Sequence, residues 1–436
     1  MQMEHRVEIE KIISGGKGLA RLADGRVVMI PGVLPGEQVL VRESRKKSDY
    51  LEARVTRLLS RSASRTDPRC PRYGICGGCN FQHIAYPVQL RLKKNILAES
   101  LKRSRVAVYS ETVSTMLASP LRFGYRSRVR MRLDRQGRPG FLAHRSNTVV
   151  PISSCPVVTT GLNRAISALA AMNLPDLQTC CRQVDLVQSP LDNSVTAIFF
   201  PRRDRDAPST IDCGVPPADI DHLLVYRNGK LISLVGSANP VLAQHFPACG
   251  ETVDTRYSLS WEPTCFFQGN PGQNLQLVDR VCRAAGDLSD KEVLDLYCGY
   301  GNLTIPLALA GARICGVEHN LAAIRWGRYN AHHLGLDTCR FRSGDVVRTV
   351  RQLHARNREF HLVVLDPPRR GMGRAIGLLA ELARERIIYV SCDPATMARD
   401  LAWLLAGSLF RIRAIEPLDM FPQTHHIESL VLLERN

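Results

Sequence analysis

Two residues near the C-terminus have the types and surroundings for covalent chemistry. In RIIYVSCDPATMARDL, Cys392 follows an apolar, strand-like run and precedes a helix start at Asp393-Pro394. The positive end of a helix favours an anion, so Cys392 is expected to be an assisted thiolate and a nucleophile. In DMFPQTHHIESLVLLERN, Glu428 stands immediately before an apolar strand. A carboxylate there is costly unless it has a partner or a task, which makes Glu428 a candidate general base. Together the two fit one reaction. Sulfur adds to C6 of a uracil, and C5 becomes an enolate carbon able to attack a methyl group. The C5 proton then leaves to a base on the far side of the ring, and the thiol is eliminated. His425 and His426 are alternative bases, although ordinary surface histidines in a flexible loop account for them more simply. A uracil paired inside a helix cannot offer its C6 face, so the target must be extruded or already unpaired.

Such chemistry needs a methyl donor beside the thiol. EVLDLYCGYGNLTIPLALA reads as an apolar strand, then Gly299-x-Gly301, then a helix, and the next strand ends in Glu318. That spacing of about twenty residues holds a nucleoside at the C-terminal edge of a sheet, with the acid on the ribose hydroxyls. A dinucleotide calls for a third glycine, whereas Asn302-Leu303-Thr304 follows this turn. S-adenosylmethionine, which has no phosphate, is therefore favoured over NAD. Asp345 ends a third strand, where it can meet adenine or cap a helix. Asp366, in LVVLDPPRRGM, tips a fourth, where it can face a sulfonium or the substrate base. In PTCFFQGN, Gln268 can contact the cofactor, and Phe266 and Phe267 either stack on an extruded base or belong to the core.

Fourteen cysteines, several of them closely spaced, point to thiol or metal chemistry rather than disulfides. Cys70-x5-Cys76-x2-Cys79 with a distant Cys155 makes a set of four thiols suited to zinc or to an iron–sulfur cluster, and spacing does not choose between them. Either would clamp the 61–80 segment to the strand ending near Cys155. Cys180, Cys181, Cys213, Cys249, Cys282, Cys315 and Cys339 read as buried, inert residues. Between the ligands, Arg126, Arg128, Arg130 and Arg132 alternate and so share one face of a strand, which suits a row of phosphates.

The 436 residues suggest roughly three units. Residues 1–60 alternate β-branched runs with Gly and Pro turns, as a small OB-like barrel does, and its SRKKSD segment is either an RNA contact or a solvated hairpin loop. Residues 61–260 read as an inserted mixed α+β domain containing a basic helix, YPVQLRLKKNILAESLKR, and a motif-free stretch over 156–250. Residues 261–436 alternate apolar strands, glycine turns and amphipathic helices, the signature of an α/β doubly wound sheet. Lys and Arg number 58 against 41 Asp and Glu, a net charge of +17, so a polyanionic partner is expected. No stretch is apolar over a membrane-spanning length, and MQMEHRVEIEKI lacks a signal-peptide core, so a cytoplasmic location is expected and no membrane. No protein partner is implied.

Two rival transferases fit poorly. A cytosine-C5 enzyme places a cysteine beside the fourth-strand proline, whereas this chain has Asp366-Pro367-Pro368. An amino-group enzyme needs an aromatic residue where Arg369 stands.

GGKGLARLADGRVVMIPGVLPGE, the cysteine cluster, FFQGN, DLYCGYGN, LDPPRRG, YVSCDPAT and DMFPQTHHIE give the chain a family resemblance across nearly its whole length. It resembles the bacterial RNA uridine-C5 methyltransferases, especially the large-subunit ribosomal RNA enzymes with an N-terminal TRAM domain. The resemblance implies a SAM-dependent methyltransferase fold, with Cys392 as nucleophile and Glu428 as base. It places Gln268, Tyr297, Asn302, Glu318, Asp345 and Asp366 on the cofactor. It also implies a [4Fe–4S] cluster on the four cysteines and 23S rRNA as the partner. The chain departs from the family at Asp393, commonly Asn, and at Asp345, Asn in some relatives. Neither departure removes a chemical group the reaction needs, but they leave the target nucleotide open. Two alternatives stand beside this reading: a transfer-RNA uridine-C5 methyltransferase, and a noncatalytic metal-containing RNA-binding protein, against which Cys392 and Glu428 beside a cofactor pocket speak.

Overall fold

The computed structural model describes residues 4–171, 180–203, 218–248 and 256–436. The first sheet has six strands: β1 (Glu4–Glu8), β2 (Lys11–Ile12), β3 (Lys17–Arg21), β4 (Val27–Pro31), β5 (Gln38–Lys46) and β6 (Leu51–Ser60). Their order is β1-β5-β6-β4-β3-β2. Because β1 and β2 are two halves of nearly one run, pairing at opposite edges, the sheet closes on itself as a barrel. Alternate residues such as Val7, Val28, Ile30, Val39 and Val41 fill its interior. The SRKKSD segment lies at the β5–β6 hairpin, whose turn is closed by Lys47 N–H donating to Tyr50 O (3.0 Å).

The cysteine segment follows, and then helix α1 (Tyr86–Arg103), which is the basic stretch seen in the sequence. The second sheet contains β7 (Arg128–Leu133), β8 (Pro139–Leu142), β9 (Val149–Pro151), β10 (Cys181–Gln188), β11 (Val195–Pro201), β12 (His222–Arg227) and β13 (Lys230–Val235). They run in the order β13-β12-β11-β10-β7-β8-β9, and Leu162, Ala165, Ile166 and Leu169 of α2 (Thr160–Ala171) share their core. An antiparallel pair, β14 (Leu242–Pro247) and β15 (Arg256–Trp261), leads to the last sheet and stacks Trp261 on Tyr300.

That sheet holds β16 (Glu292–Leu296), β17 (Arg313–Glu318), β18 (Cys339–Ser343), β19 (Phe360–Leu365), β20 (Ala383–Ser391), β21 (Phe410–Leu418) and β22 (Glu428–Arg435), ordered β18-β17-β16-β19-β20-β22-β21. Only β22 runs against its neighbours. The accompanying helices are α3 (Pro271–Ala285), α4 (Thr304–Leu309), α5 (Leu321–His333), α6 (Val346–Ala355) and α7 (Pro394–Leu405). The inner strands are buried on both faces, which is why they read as continuous apolar runs. The chain moves outward from β16 to β18 and then crosses back to β19. The switch point between β16 and β19 opens a crevice at their C-terminal ends, the place where a doubly wound sheet binds ligands.

A buried ion pair straps α1 to the turn before β22. Lys93 and Asp419 are both fully buried, and Lys93 Nζ also donates to Phe421 O (3.1 Å). Burial pushes the Lys93 pKa down. Such a pair adds little net stability, but removing one partner strands a buried charge at a cost of about 3–5 kcal/mol.

Among the cysteines expected to be buried and inert, Cys181 is buried and Cys180, Cys315 and Cys339 are half-buried. Cys282 corrects the expectation, for it is buried but disulfide-bonded. Cys213 and Cys249 lie outside the described residues.

Candidate active site

Four strand ends deliver the candidate chemistry to one rim. β16 carries Asp295 and leads to Tyr297, β19 leads to Asp366, β20 leads to Cys392, and β22 begins at Glu428. The last pairing of β20 with β22 is Ser391 opposite Ser429. One step further in that antiparallel register sets Cys392 opposite Glu428, and directly opposed residues keep their Cβ atoms about 5 Å apart on one face. The two residues, 36 apart in sequence by subtraction of their numbers, thus meet through the sheet.

The electrostatics run against one expectation. The Cys392 thiol is not assisted by its helix: burial pushes its pKa up to about 12, and the carboxyls of Glu428, Asp366 and Asp393 add to the effect. Asp393 also sits at the helix end itself. Its side chain caps α7 by accepting from Thr396 N–H (2.8 Å), which places a negative charge where the helix's positive end would act. The Arg369 guanidinium pulls the other way on both Cys392 and Glu428. Glu428 is 2% exposed, its Oε1 has no hydrogen-bond partner, and burial raises its pKa well above the ordinary carboxyl range.

Next to this pair is a small cavity of about 40 Å³ lined by Gln268, Asp295, Tyr297, Asn302 and Asp366, with Phe266 at its edge. Tyr297 adopts φ +64°, a left-handed conformation that costs a non-glycine residue of order 1–3 kcal/mol and that concentrates at ligand sites. Burial raises the Asp366 pKa to about 7. Asp295 also rises to about 7, through burial first and then through the Asp366 and Glu318 charges. Asp295 went unmarked in the sequence because it sits inside an apolar strand; its signal was a lone acid within that strand, a few residues before the Gly299 turn. It accepts from Thr304 Oγ1 at 2.6 Å.

The other expected cofactor residues are placed as follows. Glu318 Oε1 accepts from the His319 and Asn320 N–H groups (2.8 Å each) and pairs with His319 Nδ1 (2.7 Å). Asn302 exchanges amide hydrogen bonds with Asn274 of α3 (2.9 and 3.0 Å). Asp345 is exposed and caps α6 by accepting from Arg348 N–H (2.8 Å); the Tyr297 hydroxyl pKa is raised by burial first and further by the Asp345 charge. The turn bearing Asp366 and Arg369 is held from α7, where Asp400 accepts from Met372 N–H (2.9 Å) and Tyr389 OH (3.1 Å). Of the two phenylalanines, Phe267 is core against Trp261, whereas Phe266 is 72% exposed at the mouth.

His425 and His426 are not loose surface residues. Both are half-buried, and burial lowers their pKa values to about 4 and about 3. Their rings lie 4.3 Å apart, and the turn is tied to the cysteine segment and to α1, which the sequence alone does not reveal.

Cys70, Cys76, Cys79 and Cys155 all line one cavity of about 490 Å³. The segment reaches β8 through Gly77 N–H donating to Leu142 O (2.9 Å), and Cys155 is fixed by Asn163. Among the described residues, no three His, Cys, Asp or Glu side chains converge tightly enough to share one metal ion.

The arginine row is less uniform than its spacing suggests. Arg128 and Arg130 share Asp185 on the neighbouring strand (3.7 and 3.1 Å), and Arg128 also donates to Cys265 O (2.9 Å). Arg126 lies over the Phe421 ring, and Arg132 is half-buried. An acid on an adjacent strand, far away in sequence, has taken the partner role assigned to phosphate for two of the four.

A family model described as tRNA (Uracil-5-)-methyltransferase matches residues 251–436, and one described as TRAM domain matches residues 3–56. A 23S rRNA (uracil(1939)-C(5))-methyltransferase of Pseudomonas putida is 32% identical over 99% of this chain and 94% of its own. An uncharacterized RNA methyltransferase of Thermotoga maritima is 32% identical over 99% of both chains. The chain belongs to the RNA uracil-C5 methyltransferase family. The enzymes of this family depend on S-adenosylmethionine, and the chain is an enzyme of that class with a TRAM domain at its N-terminus. Its fold agrees: the structure of a Pyrococcus abyssi tRNA (uracil-54, C5)-methyltransferase, solved in complex with S-adenosyl-L-homocysteine, superposes with a TM-score of 0.72. That protein is 25% identical, and the match covers 98% of this chain and 100% of the other. Among the described residues, no helix is long and apolar enough to cross a membrane.

The raised thiol and carboxyl give this methyltransferase a predicted pH dependence. Were Cys392 the nucleophile and Glu428 the base, each would act in its deprotonated form, and both pKa values are displaced upward. The single-turnover rate should therefore climb from pH 6 to pH 9, by up to about tenfold per unit while the pH stays below the thiol pKa. A rate that is flat or falling over that range contradicts the assignment of either group.

Proposed function

We propose that this methyltransferase modifies C5 of a uridine in 23S rRNA through a covalent bond to Cys392, with Glu428 as the base. The observation that carries the reading is the β20–β22 register, which opposes the half-buried Cys392 thiol to the buried Glu428 carboxyl. In the sequence of events, the Cys392 thiolate forms an S–C6 bond and the C5=C6 electron pair moves to C5. Bound S-adenosylmethionine supplies an electrophilic methyl group for that carbon. Glu428 then takes the C5 proton, the C5=C6 bond is restored, and the S–C6 bond breaks to regenerate the thiolate.

The residues present fit the cofactor. Asp295, Asp366 and Glu428 are acids crowded together at raised pKa, an environment that a cationic ligand relieves. Gln268, Tyr297 and Asn302 would line its seat, with Glu318 and Asp345 toward the nucleoside. Phe266, exposed at the mouth, would stack on the extruded base, and Arg126, Arg128, Arg130 and Arg132 would face the RNA as far as Asp185 permits. Residues 1–60 would form the RNA-binding barrel, 61–260 the central domain and 261–436 the catalytic domain of a cytoplasmic enzyme.

The four cysteines line one cavity and make a complete set of four thiolate donors, and the family resemblance favours a [4Fe–4S] cluster over zinc as the group they would hold. Cys70, Cys76, Cys79 and Cys155 would hold it as a clamp. Protein purified without oxygen should be brown and contain iron; colourless protein containing zinc contradicts this reading.

The 32% identity to the Pseudomonas putida enzyme along 99% of this chain supports ribosomal RNA as the target. Mapping 5-methyluridine in RNA from a deletion strain should show the loss of one site in large-subunit rRNA. Loss confined to transfer RNA contradicts that choice.

A further inference from the structure

Asn80, the residue after Cys79, sits where three parts of the chain meet. Its Oδ1 accepts from His425 N–H (3.0 Å), which fixes the orientation of the amide. Its Nδ2 therefore donates to His425 Nδ1 (2.9 Å) and to Gly15 O in the barrel (3.3 Å). The backbone N–H groups of Asn80 and Phe81 both donate to Gln423 O (3.1 and 2.9 Å). Gln423, held at φ +68°, also exchanges hydrogen bonds with Gln89 of α1 (3.0 and 3.1 Å). On the barrel side the packing is closed. A Cβ on Gly16 would strike the Asn80 amide and meet His425 Cβ at 3.0 Å. Thr424, between Gln423 and His425, lines the same cavity as the four cysteines.

We propose that Asn80 is a positioning residue for methyl transfer, tying the cysteine segment and the barrel to the Gln423–Glu428 turn so that the base is held toward Cys392. The inference rests on the reading of Glu428 as the base. Since Glu428 Oε1 makes no hydrogen bond, the carboxyl depends on the backbone of its turn for its place. One end of that turn is fixed by the β22 ladder and the other by Asn80 and Gln89. A base displaced by about 1 Å can lose about 10²-fold in rate. Cys392 hangs from β20, so loosening the turn should slow removal of the C5 proton more than addition of the thiol.

The test compares wild-type protein with Asn80→Ala, Asn80→Asp and Glu428→Gln, each purified with its metal. The RNA is a transcript of the rRNA segment identified by the mapping above. Single-turnover reactions with S-adenosylmethionine are followed on denaturing gels, which separate the rate of covalent adduct formation from the rate of its breakdown, and iron content and RNA Kd are measured on the same preparations. Asn80→Ala should accumulate adduct because breakdown slows by about 10- to 100-fold. Formation rate, RNA Kd and iron content should stay within about twofold of wild type. Asn80→Asp, which keeps the acceptor for His425 N–H, should fall between the two. Adduct in Glu428→Gln but none in Asn80→Ala overturns the coupling and leaves the base in place. No adduct in Glu428→Gln overturns the base and the coupling with it. Loss of iron together with an equal slowing of both steps in Asn80→Ala reduces Asn80 to a structural residue and also overturns the proposal.

Discussion

Replacing Cys392 with alanine lowers methyl transfer by at least about 10⁴-fold, because without sulfur addition C5 of uracil has no means of becoming a carbon nucleophile. The substitution removes one half-buried side chain from the end of β20 and leaves α7 capped by Asp393. RNA affinity should therefore stay near that of the wild type, as a filter-binding titration can show. Residual methylation within tenfold of wild type would mean that some other group activates the ring. The proposed role falls to a thiol that burial and three carboxyls hold protonated in the free protein, with Arg369 as the opposing cation.

The second large effect is a change of product rather than a loss of reaction. Glu428→Gln keeps the shape of the buried side chain but cannot accept the C5 proton, so the S–C6 bond has no route to break. The expected result is a protein–RNA species that survives denaturant and builds up to nearly one per active enzyme, while turnover falls by about 10³-fold or more. The amide is also accommodated without a buried charge, and the raised pKa of Glu428 shows how weakly this site supports one. Normal turnover by Glu428→Gln, measured as tritium released from C5 of labelled uridine, would remove the residue from the mechanism.

The catalytic sheet was largely legible from sequence, for a physical reason. Parallel strands covered on both faces must be apolar throughout, so VLDLY, LVVLDPP and RIIYVSC announced themselves, and each ends at the functional rim. The barrel was nearly as clear except at β3, where KGLAR looks like part of a glycine turn. There Gly18 serves packing instead, since a Cβ would collide with Val33. What could not be read were partnerships between distant positions. Lys93 looks like one more charge on a basic helix, yet it is fully buried against Asp419, 326 residues away. Arg128 and Arg130 look like phosphate ligands until Asp185 arrives on β10. The same limit applied to Cys392. It could be singled out by its setting, but burial, and after it charges from other strands, raise the thiol pKa where assistance from its helix was expected.

The central claim is best tested by locating the covalent bond. Glu428→Gln protein incubated with substrate RNA and S-adenosylmethionine should be digested with protease and nuclease and the linked fragment sequenced by mass spectrometry. The account predicts a single peptide, RIIYVSCDPATMAR or part of it, carrying a methylated uridine on Cys392. A nucleotide attached to any other residue, or methylated RNA formed with no attachment at all, contradicts it.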